Sequence, residues 1–373
     1  MRLKIALLPG DGIGPEVSQQ SVKVLNTIAE IFGHHFEIEE ALVGAIAIDE
    51  TGSPLPEKTL NLCKKSDAVL FGSIGDPKYD NNPNAKVRPE QGLLRLRKEL
   101  GLFANIRPVK AYPTLLDQSP LKRNIIEGTD MLIYRELTGG IYFGEKKINE
   151  DATVASDLCE YSQFEIERIA HLAFKAAQTR SNKVTLVDKA NVLESSRLWR
   201  RVVTNLANEY PGVIVDFLFV DNAAMQMILN PKQFDVILTE NMFGDIISDE
   251  GSVIGGSIGL LASASVGYEN ALFEPIHGSY PQAKGKNIAN PVASILSTAM
   301  LLDHFDLTEE ASAVRRAVEK AIELGIVTSD LNKDSYFGTD YVGDYIANAI
   351  LNKGDSDNYI NYENVHLGKS VFM

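Results

Sequence analysis

Cysteine is nearly absent from this chain: Cys63 and Cys159 stand alone among 373 residues. Two isolated thiols make neither a disulfide framework nor a thiolate metal site, and such usage fits a reducing cytosol. Basic residues are also in deficit, with 36 Lys and Arg against 50 Asp and Glu and a net charge of −14. A nucleic-acid partner needs a basic surface, which argues against that class, and an anionic membrane surface would repel the chain. Long apolar runs are missing: none approaches the roughly 20 residues of a membrane span. The apolar stretch 1–8 stops at Pro9-Gly10-Asp11, too short for a signal peptide's core plus cleavage site, and reads as a first strand. Internal repeats and low-complexity segments are lacking too. What remains, 45% hydrophobic and 23% charged, is an ordinary soluble composition. The length exceeds what one core supports, which predicts two lobes.

Short apolar runs alternate with amphipathic stretches for most of the length. Residues 3–8, 68–71, 131–134, 184–187, 213–220 and 236–238 read as buried strands, and 15–31, 163–178, 193–208, 291–304 and 309–324 as helices. Pro15 suits a helix's first turn. This alternation predicts an α/β fold with largely parallel pairing. From 139 to 158 the pattern breaks. Gly-Gly-Ile-Tyr-Phe-Gly (139–144) and Ala-Thr-Val-Ala (152–155) read there as short strands and turns without helices, an antiparallel arm suited to a dimer. The polar, aromatic tail after Lys353 carries no functional reading.

Ligands of open α/β sheets bind beyond the carboxyl ends of the strands, and ionisable residues recur there. If the chain is helical from Asn241, Asp245 and Asp249 project from one face a turn apart. Their repulsion disappears with a divalent cation between them, since hard cations take oxygen ligands. Gly251, Gly255, Gly256 and Gly259 follow closely, and read as an adjoining phosphate or nucleotide site. Arg97, Arg107 and Arg135 supply guanidinium groups near probable element ends; their forks fit carboxylates, so a polycarboxylate is a natural substrate. Arg95 reads as a plain surface residue. Lys189 follows a very apolar strand and suits a base if its pKa drops from about 10.4 towards about 7–8. Tyr142 in the arm suits a proton donor, although a strand tyrosine is more often packing. Gly10-Asp11-Gly12-Ile13-Gly14 is GxGxG and not GxGxxG, with no acidic ribose ligand at the expected distance, so it is a weak dinucleotide fingerprint. The run Glu274-Pro275-Ile276-His277-Gly278-Ser279, leading to Asn290-Pro291 and a helix, is a better cofactor loop; His277 by itself reads as structural.

Together these segments resemble the isocitrate/isopropylmalate dehydrogenase family of β-decarboxylating dehydrogenases, and within it the branch acting on 3-isopropylmalate. The matching stretches are LPGDGIGPEV (8–17), GLLRLRKELGLFANIRP (92–108), RELTGGIYFGE (135–145), VDKANVLE (187–194) and VDNAAMQMI (220–228). They continue with NMFGDIISDEGSVIGGSIGLLASAS (241–265) and FEPIHGSYPQAKGKNIANP (273–291). The resemblance implies a two-lobed fold, residues 1–103 plus 256–373 forming a cofactor lobe and 104–255 a substrate, metal and dimerisation lobe. It implies NAD-dependent oxidative decarboxylation with Mg²⁺ or Mn²⁺, in leucine biosynthesis, by a cytoplasmic homodimer whose sites are shared between subunits. Arg97, Arg107 and Arg135 would hold the malate carboxylates. Asp221, Asp245 and Asp249 would bind the metal, with Asp221 also at the substrate. Lys189 would serve as or relay to the base, and Tyr142 would protonate the enol. Lys189 and Asp221 would come from the partner subunit. Glu90, Glu274, His277, Gly278, Ser279, Gln282 and Asn290 would line the cofactor.

Leu93 and Leu94 stand where isocitrate-specific relatives carry a Ser/Asn pair that meets the third carboxylate. Burying an isopropyl group gains roughly 2.4 kcal/mol, and burying an unpartnered carboxylate against two leucines costs more than that. Isopropylmalate is therefore the expected substrate. Gln282 replaces the acidic residue usual in NAD-using relatives; it bonds a ribose hydroxyl without repelling a 2′-phosphate, which predicts NAD with weakened discrimination. Sister enzymes acting on homoisocitrate, isocitrate or tartrate are the nearest alternatives. A metal-dependent hydrolase and a non-catalytic subunit are the alternatives of other classes.

Overall fold

The computed structural model describes residues 1–80 and 87–352, apart from the side chain of Asp80. The tail beyond 352, and with it the end of the anticipated cofactor lobe, lies outside the described residues. Twelve strands occur among them. They are β1 (Arg2–Gly10), β2 (His35–Glu40), β3 (Ala68–Ser73), β4 (Ala104–Lys110), β5 (Asp130–Glu136), β6 (Lys146–Ile148), β7 (Ala155–Asp157), β8 (Lys183–Asp188), β9 (Ile214–Phe219), β10 (Val236–Thr239), β11 (Ala262–Val266) and β12 (Ala271–Pro275). The chain divides into two compact units. One comprises 1–96, 259–262 and 272 onward, and the other 97–258 and 263–271. Both run through the sequence discontinuously, with junctions at 96/97, 258/259, 262/263 and 271/272.

In the first unit β2, β1, β3 and β12 lie side by side, all parallel. Strand β1 alternates little because both of its faces are covered, and Ile5, Ala6 and Leu8 are fully buried. The helix Gly14–Phe32 follows it, with Pro15 in its first turn as expected, and packs on helices Val292–His304 and Thr339–Leu351.

In the second unit the order is β11, β4, β5, β10, β8, β9. Strands β5, β10, β8 and β9 pair in parallel, whereas β4 is antiparallel to both of its neighbours. Sequence patterning missed β4, because Asn105, Arg107 and Pro108 break up its apolar run. Pro108 falls beyond the β11 pairing, which ends at Ile106, on a stretch with one neighbour where a missing N–H is tolerated. The helix Gln163–Gln178 has the bounds read from sequence, and opens on a capping box between Ser162 and Glu165.

The arm differs in detail from the expectation. Strands β6 and β7 form an antiparallel pair, but Gly140–Tyr142 is a 3-10 turn, so Tyr142 is not a strand residue. Val220, read as the last residue of a strand 213–220, instead opens the helix Val220–Leu229. Gly251, Gly255, Gly256 and Gly259 also depart from the reading as a phosphate cradle. An added Cβ at Gly251 would press on Val109 and Met227, and at Gly259 on Asn290. Gly255 ends the helix beside Lys110, and Gly256 caps it in the left-handed region. They are packing and capping glycines.

Candidate active site

The helix Asn241–Gly255 begins where the sequence suggested, and puts Asp245 and Asp249 on one face. Two strands deliver arginines to that face. From β4, Arg107 Nη1 donates to Ser248 Oγ at 2.5 Å and to Asp249 Oδ1 at 3.4 Å, with Nη2 3.7 Å from Asp245 Oδ1. From β5, Arg135 Nη1 donates to the same Asp245 oxygen. The hydroxyl of Tyr142 donates to Asp245 Oδ2 at 2.9 Å. The second unit thus gathers Arg107, Arg135, Tyr142, Asp245 and Asp249 into one cluster. Arg97 adds a like charge that acts on Arg135.

Burying two guanidinium groups is costly unless their bonds are made, and the chain makes them. Arg107 Nε donates to Asn105 Oδ1 at 2.6 Å, and Asn105 Nδ2 donates to Ser265 Oγ at 3.1 Å. Burial, with Arg107 nearby, pulls Arg135 down to about 10, which still leaves it charged at neutral pH. Gly244 lets the helix approach so closely that a Cβ there would lie 2.6 Å from Arg135 Cγ. Burial and the bond to Asp245 hold the Tyr142 phenol above its ordinary range, so it stays protonated and able to donate.

Lys189 and Asp221 form a pair of their own. Lys189 follows β8, Asp221 sits in the first turn of the helix Val220–Leu229, and Nζ donates to Oδ1 at 2.7 Å. That bond holds the Asp221 carboxyl below its usual range. Among the described residues no three carboxylate, histidine or cysteine side chains gather around one point. Asp221, Asp245 and Asp249 are therefore not assembled by one chain. Asp245 and Asp249 nevertheless fit a hard divalent cation: both are carboxylates, one turn apart, and Asp249 is exposed.

In the first unit the loop 9–14 meets the segments following β3 and β12. Asp11 accepts from the amides of Ala45, Ile46 and Gly75, and Ile13 N donates to Ser279 O at 2.8 Å. Gly12 has φ of +57°, and a Cβ there would lie 1.9 Å from Ser279 O. The glycine spacing that looked like a weak fingerprint is a close packing of backbone. A Cβ on Gly75 would come within 3.0 Å of Glu90 Oε1 and 3.6 Å of Ser279 Oγ, so these three converge. Gly278 is exposed with open space at its Cα, and Gln282 is exposed on the turn Pro281–Ala283. His277 has a solvent-shielded Nε2 with no partner among the described residues, and burial lowers its pKa. A neutral imidazole with an unused nitrogen fits an adenosine moiety. Glu274 is buried at the end of β12. Asn290 is engaged at both ends, donating to Asp330 and accepting from Val292 N.

On the helix Pro89–Glu99, Gly92 and Leu96 face inward, and Glu90, Leu93, Leu94 and Arg97 share another face. Leu94 is exposed and Leu93 half-buried. Arg95 pairs with Glu57, the surface role read from sequence.

The chain as a whole has close relatives. Residues 4–346 match the family model described as isocitrate/isopropylmalate dehydrogenase. The chain belongs to that family. It is 54% identical over 352 residues to a 3-isopropylmalate dehydrogenase of Bacteroides fragilis, covering 94% of this chain and 99% of that one. A 3-isopropylmalate dehydrogenase of Bacillus subtilis is 52% identical over 365 residues, covering 96% and 100%. Among solved structures, isocitrate dehydrogenase of Methylococcus capsulatus superposes with a TM-score of 0.84 at 34% identity, covering 93% and 99%. A β-decarboxylating dehydrogenase of Thermococcus kodakarensis does so with 0.78 at 36%, covering 96% and 99%. The chain is accordingly a decarboxylating hydroxy-acid dehydrogenase.

Proposed function

We propose that this enzyme oxidises and decarboxylates 3-isopropylmalate to 4-methyl-2-oxopentanoate, reducing NAD, as a step of leucine biosynthesis. The observation carrying this reading is the face of helix Pro89–Glu99 on which Leu93 and Leu94 precede Arg97. It offers apolar contact beside a carboxylate-binding guanidinium. An isopropyl group would gain roughly 2.4 kcal/mol there, and a third carboxylate would lose its water without a partner. Identity of 50% and more to relatives named for isopropylmalate points the same way.

Arg97, Arg107 and Arg135 hold the substrate's carboxylates. Asp245 and Asp249, with Asp221, hold Mg²⁺ or Mn²⁺. When bound, NAD would supply the hydride acceptor for C2 and the cation a Lewis acid for negative charge developing on the C2 oxygen, which would let the C3 carboxylate leave as carbon dioxide. Lys189 takes the hydroxyl proton, directly or through Asp221, with which it already shares a bond. Tyr142 delivers a proton to C3, and its raised pKa keeps that proton in place until carbanion character develops there. Glu90, Glu274, His277, Gly278, Ser279, Gln282 and Asn290 accommodate the cofactor. Gln282 bonds a ribose hydroxyl but brings no charge against a 2′-phosphate, so NAD is favoured by a reduced margin. Tighter binding of NADP than NAD in a fluorescence titration would contradict that.

The active form is a homodimer. The single chain brings Asp245 and Asp249 together on one helix face, while its own Asp221 is turned to Lys189. Beside Asp221, helix Val220–Leu229 exposes Met225, Ile228 and Leu229, and helix Asn241–Gly255 exposes Ile246 and Val253. The two helices pack together, and so large an apolar face calls for a cover. A second copy in the same arrangement supplies its own Lys189 and Asp221. The test of the chemistry is stoichiometric: one NADH and one carbon dioxide per 3-isopropylmalate consumed, abolished by a chelator. NADH without carbon dioxide would overturn the decarboxylation.

A further inference from the structure

We infer that Asn241 is a positioning residue that couples the guanidinium of Arg135 to the turn carrying Tyr142. The inference rests on the roles of Arg135 and Tyr142 proposed above.

Asn241 is buried to 1% exposure at the first position of the helix bearing Asp245 and Asp249. The helix cap itself is Glu240, so Asn241 is not needed as a cap. Every polar atom of Asn241 is committed. Its backbone N donates to Tyr161 Oη at 3.0 Å, and its backbone O accepts from Arg135 Nε at 2.9 Å. Its Oδ1 accepts from Arg135 Nη2 at 2.9 Å and Nε at 3.2 Å. Its Nδ2 donates to Gly139 O at 3.3 Å, one residue before the turn Gly140–Tyr142.

The two ends of the amide thus serve different parts of the site. A guanidinium only donates and a carbonyl only accepts, so the amide has one productive orientation. Aspartate at this position would keep the acceptor for Arg135 and lose the donor for Gly139. Alanine would lose both. Tyr161 clamps the same turn from its other side: a Cβ on Gly140 would lie 2.2 Å from Tyr161 Oη, and one on Gly139 2.7 Å from Cε1. Arg135 held at Nε and Nη2 has Nη1 left to aim at Asp245. Tyr142, on a pinned turn, reaches the other oxygen of that carboxylate. One side chain thereby sets the geometry of the carboxylate-binding group and of the proton donor together.

Steady-state kinetics of the intact dimer with 3-isopropylmalate, NAD and Mg²⁺ separates this from a merely structural role. Asn241→Ala is expected to raise KM for isopropylmalate about tenfold and lower kcat about tenfold, the scale of losing hydrogen bonds to a charged group and a positioned donor. KM for NAD stays within about twofold. Asn241→Asp is expected to restore KM for isopropylmalate while kcat stays low, because only the Arg135 contact returns. In a Tyr142→Phe background, Asn241→Ala should cost little further kcat. Full additivity with Tyr142→Phe, or rates that fall only in proportion to the folded fraction with both KM values unchanged, would overturn the inference. Asn241→Asp preserves shape and carries the test if the alanine variant fails to fold. Arg135→Gln and Tyr142→Phe alone are the controls. If the first leaves KM and the second leaves kcat unchanged, the reading of the site fails, independently of Asn241.

Discussion

Glu240, which no step of the reaction uses, is a strongly perturbed acid near the site. Burial, and the charge of Glu136 close by, push its carboxyl up to about 7, and Glu136 is itself shifted upward by burial. A carboxyl raised in the folded state favours folding while it is protonated and opposes folding once ionised. The cost of Glu240 therefore grows as pH rises from its ordinary 4.5 to about 7. Glu240→Gln is expected to be more stable than the parent above pH 7, by up to about 3 kcal/mol, and equal to it near pH 4.5. Urea midpoints of both proteins at the two pH values measure this. A constant offset across the range would show that the carboxyl does not titrate as described. At this scale the sequence was legible for one cluster: Arg107, Arg135, Tyr142, Asp245 and Asp249 do converge. Supporting groups were illegible. Asn105, Tyr161 and Asn241 lie in runs where nothing marks a buried amide or phenol, and their value lies in partners far along the chain. The nearest available signal for Asn241 was its place two residues after the apolar strand β10.

Elements were read well where hydrophobic periodicity ran unbroken, as in β1, β8 and the helix Gln163–Gln178. They were missed where function interrupts it. Strand β4 carries two site-forming polar side chains toward the interior and a proline at its free stretch, so its pattern resembles a loop. Glycines misled in the opposite direction, since Gly251 and Gly259 serve close packing and look in sequence like a ligand cradle. The exposed apolar face of helices Val220–Leu229 and Asn241–Gly255 belongs to this scale. Met225→Glu combined with Ile246→Glu puts two charges on that face, at a cost of several kcal/mol in a buried interface. The variant is expected to sediment as a monomer, with circular dichroism unchanged and activity lost by at least 10²-fold. A fully active monomer would contradict shared sites. On the helix Pro89–Glu99, Leu93→Ser with Leu94→Asn supplies hydrogen-bond groups in place of apolar contact. It should lower kcat/KM for isopropylmalate by at least tenfold, in line with the loss of roughly 2 kcal/mol of apolar contact, and raise it for isocitrate. Unchanged preference would place the discriminating contact elsewhere.

For the whole molecule, an acidic protein that binds an acidic substrate must concentrate its positive charge. A net charge of −14 coexists with two buried arginines, Arg107 and Arg135, on adjacent strands. The division into two discontinuous units was expected from family resemblance and not from periodicity, because nothing in local patterning reveals that residues 259–262 and 272 onward rejoin the start of the chain. Among the described residues no helix is long and apolar enough to cross a membrane. The central claim is the substrate, and it is tested most directly by NADH formation from purified protein with NAD and Mg²⁺, comparing racemic 3-isopropylmalate with isocitrate at equal concentrations. The account expects kcat/KM for isopropylmalate to exceed that for isocitrate by at least about 10²-fold, the discrimination that gained apolar contact plus a rejected carboxylate provides. Comparable turnover of the two, or activity with isocitrate alone, would contradict it.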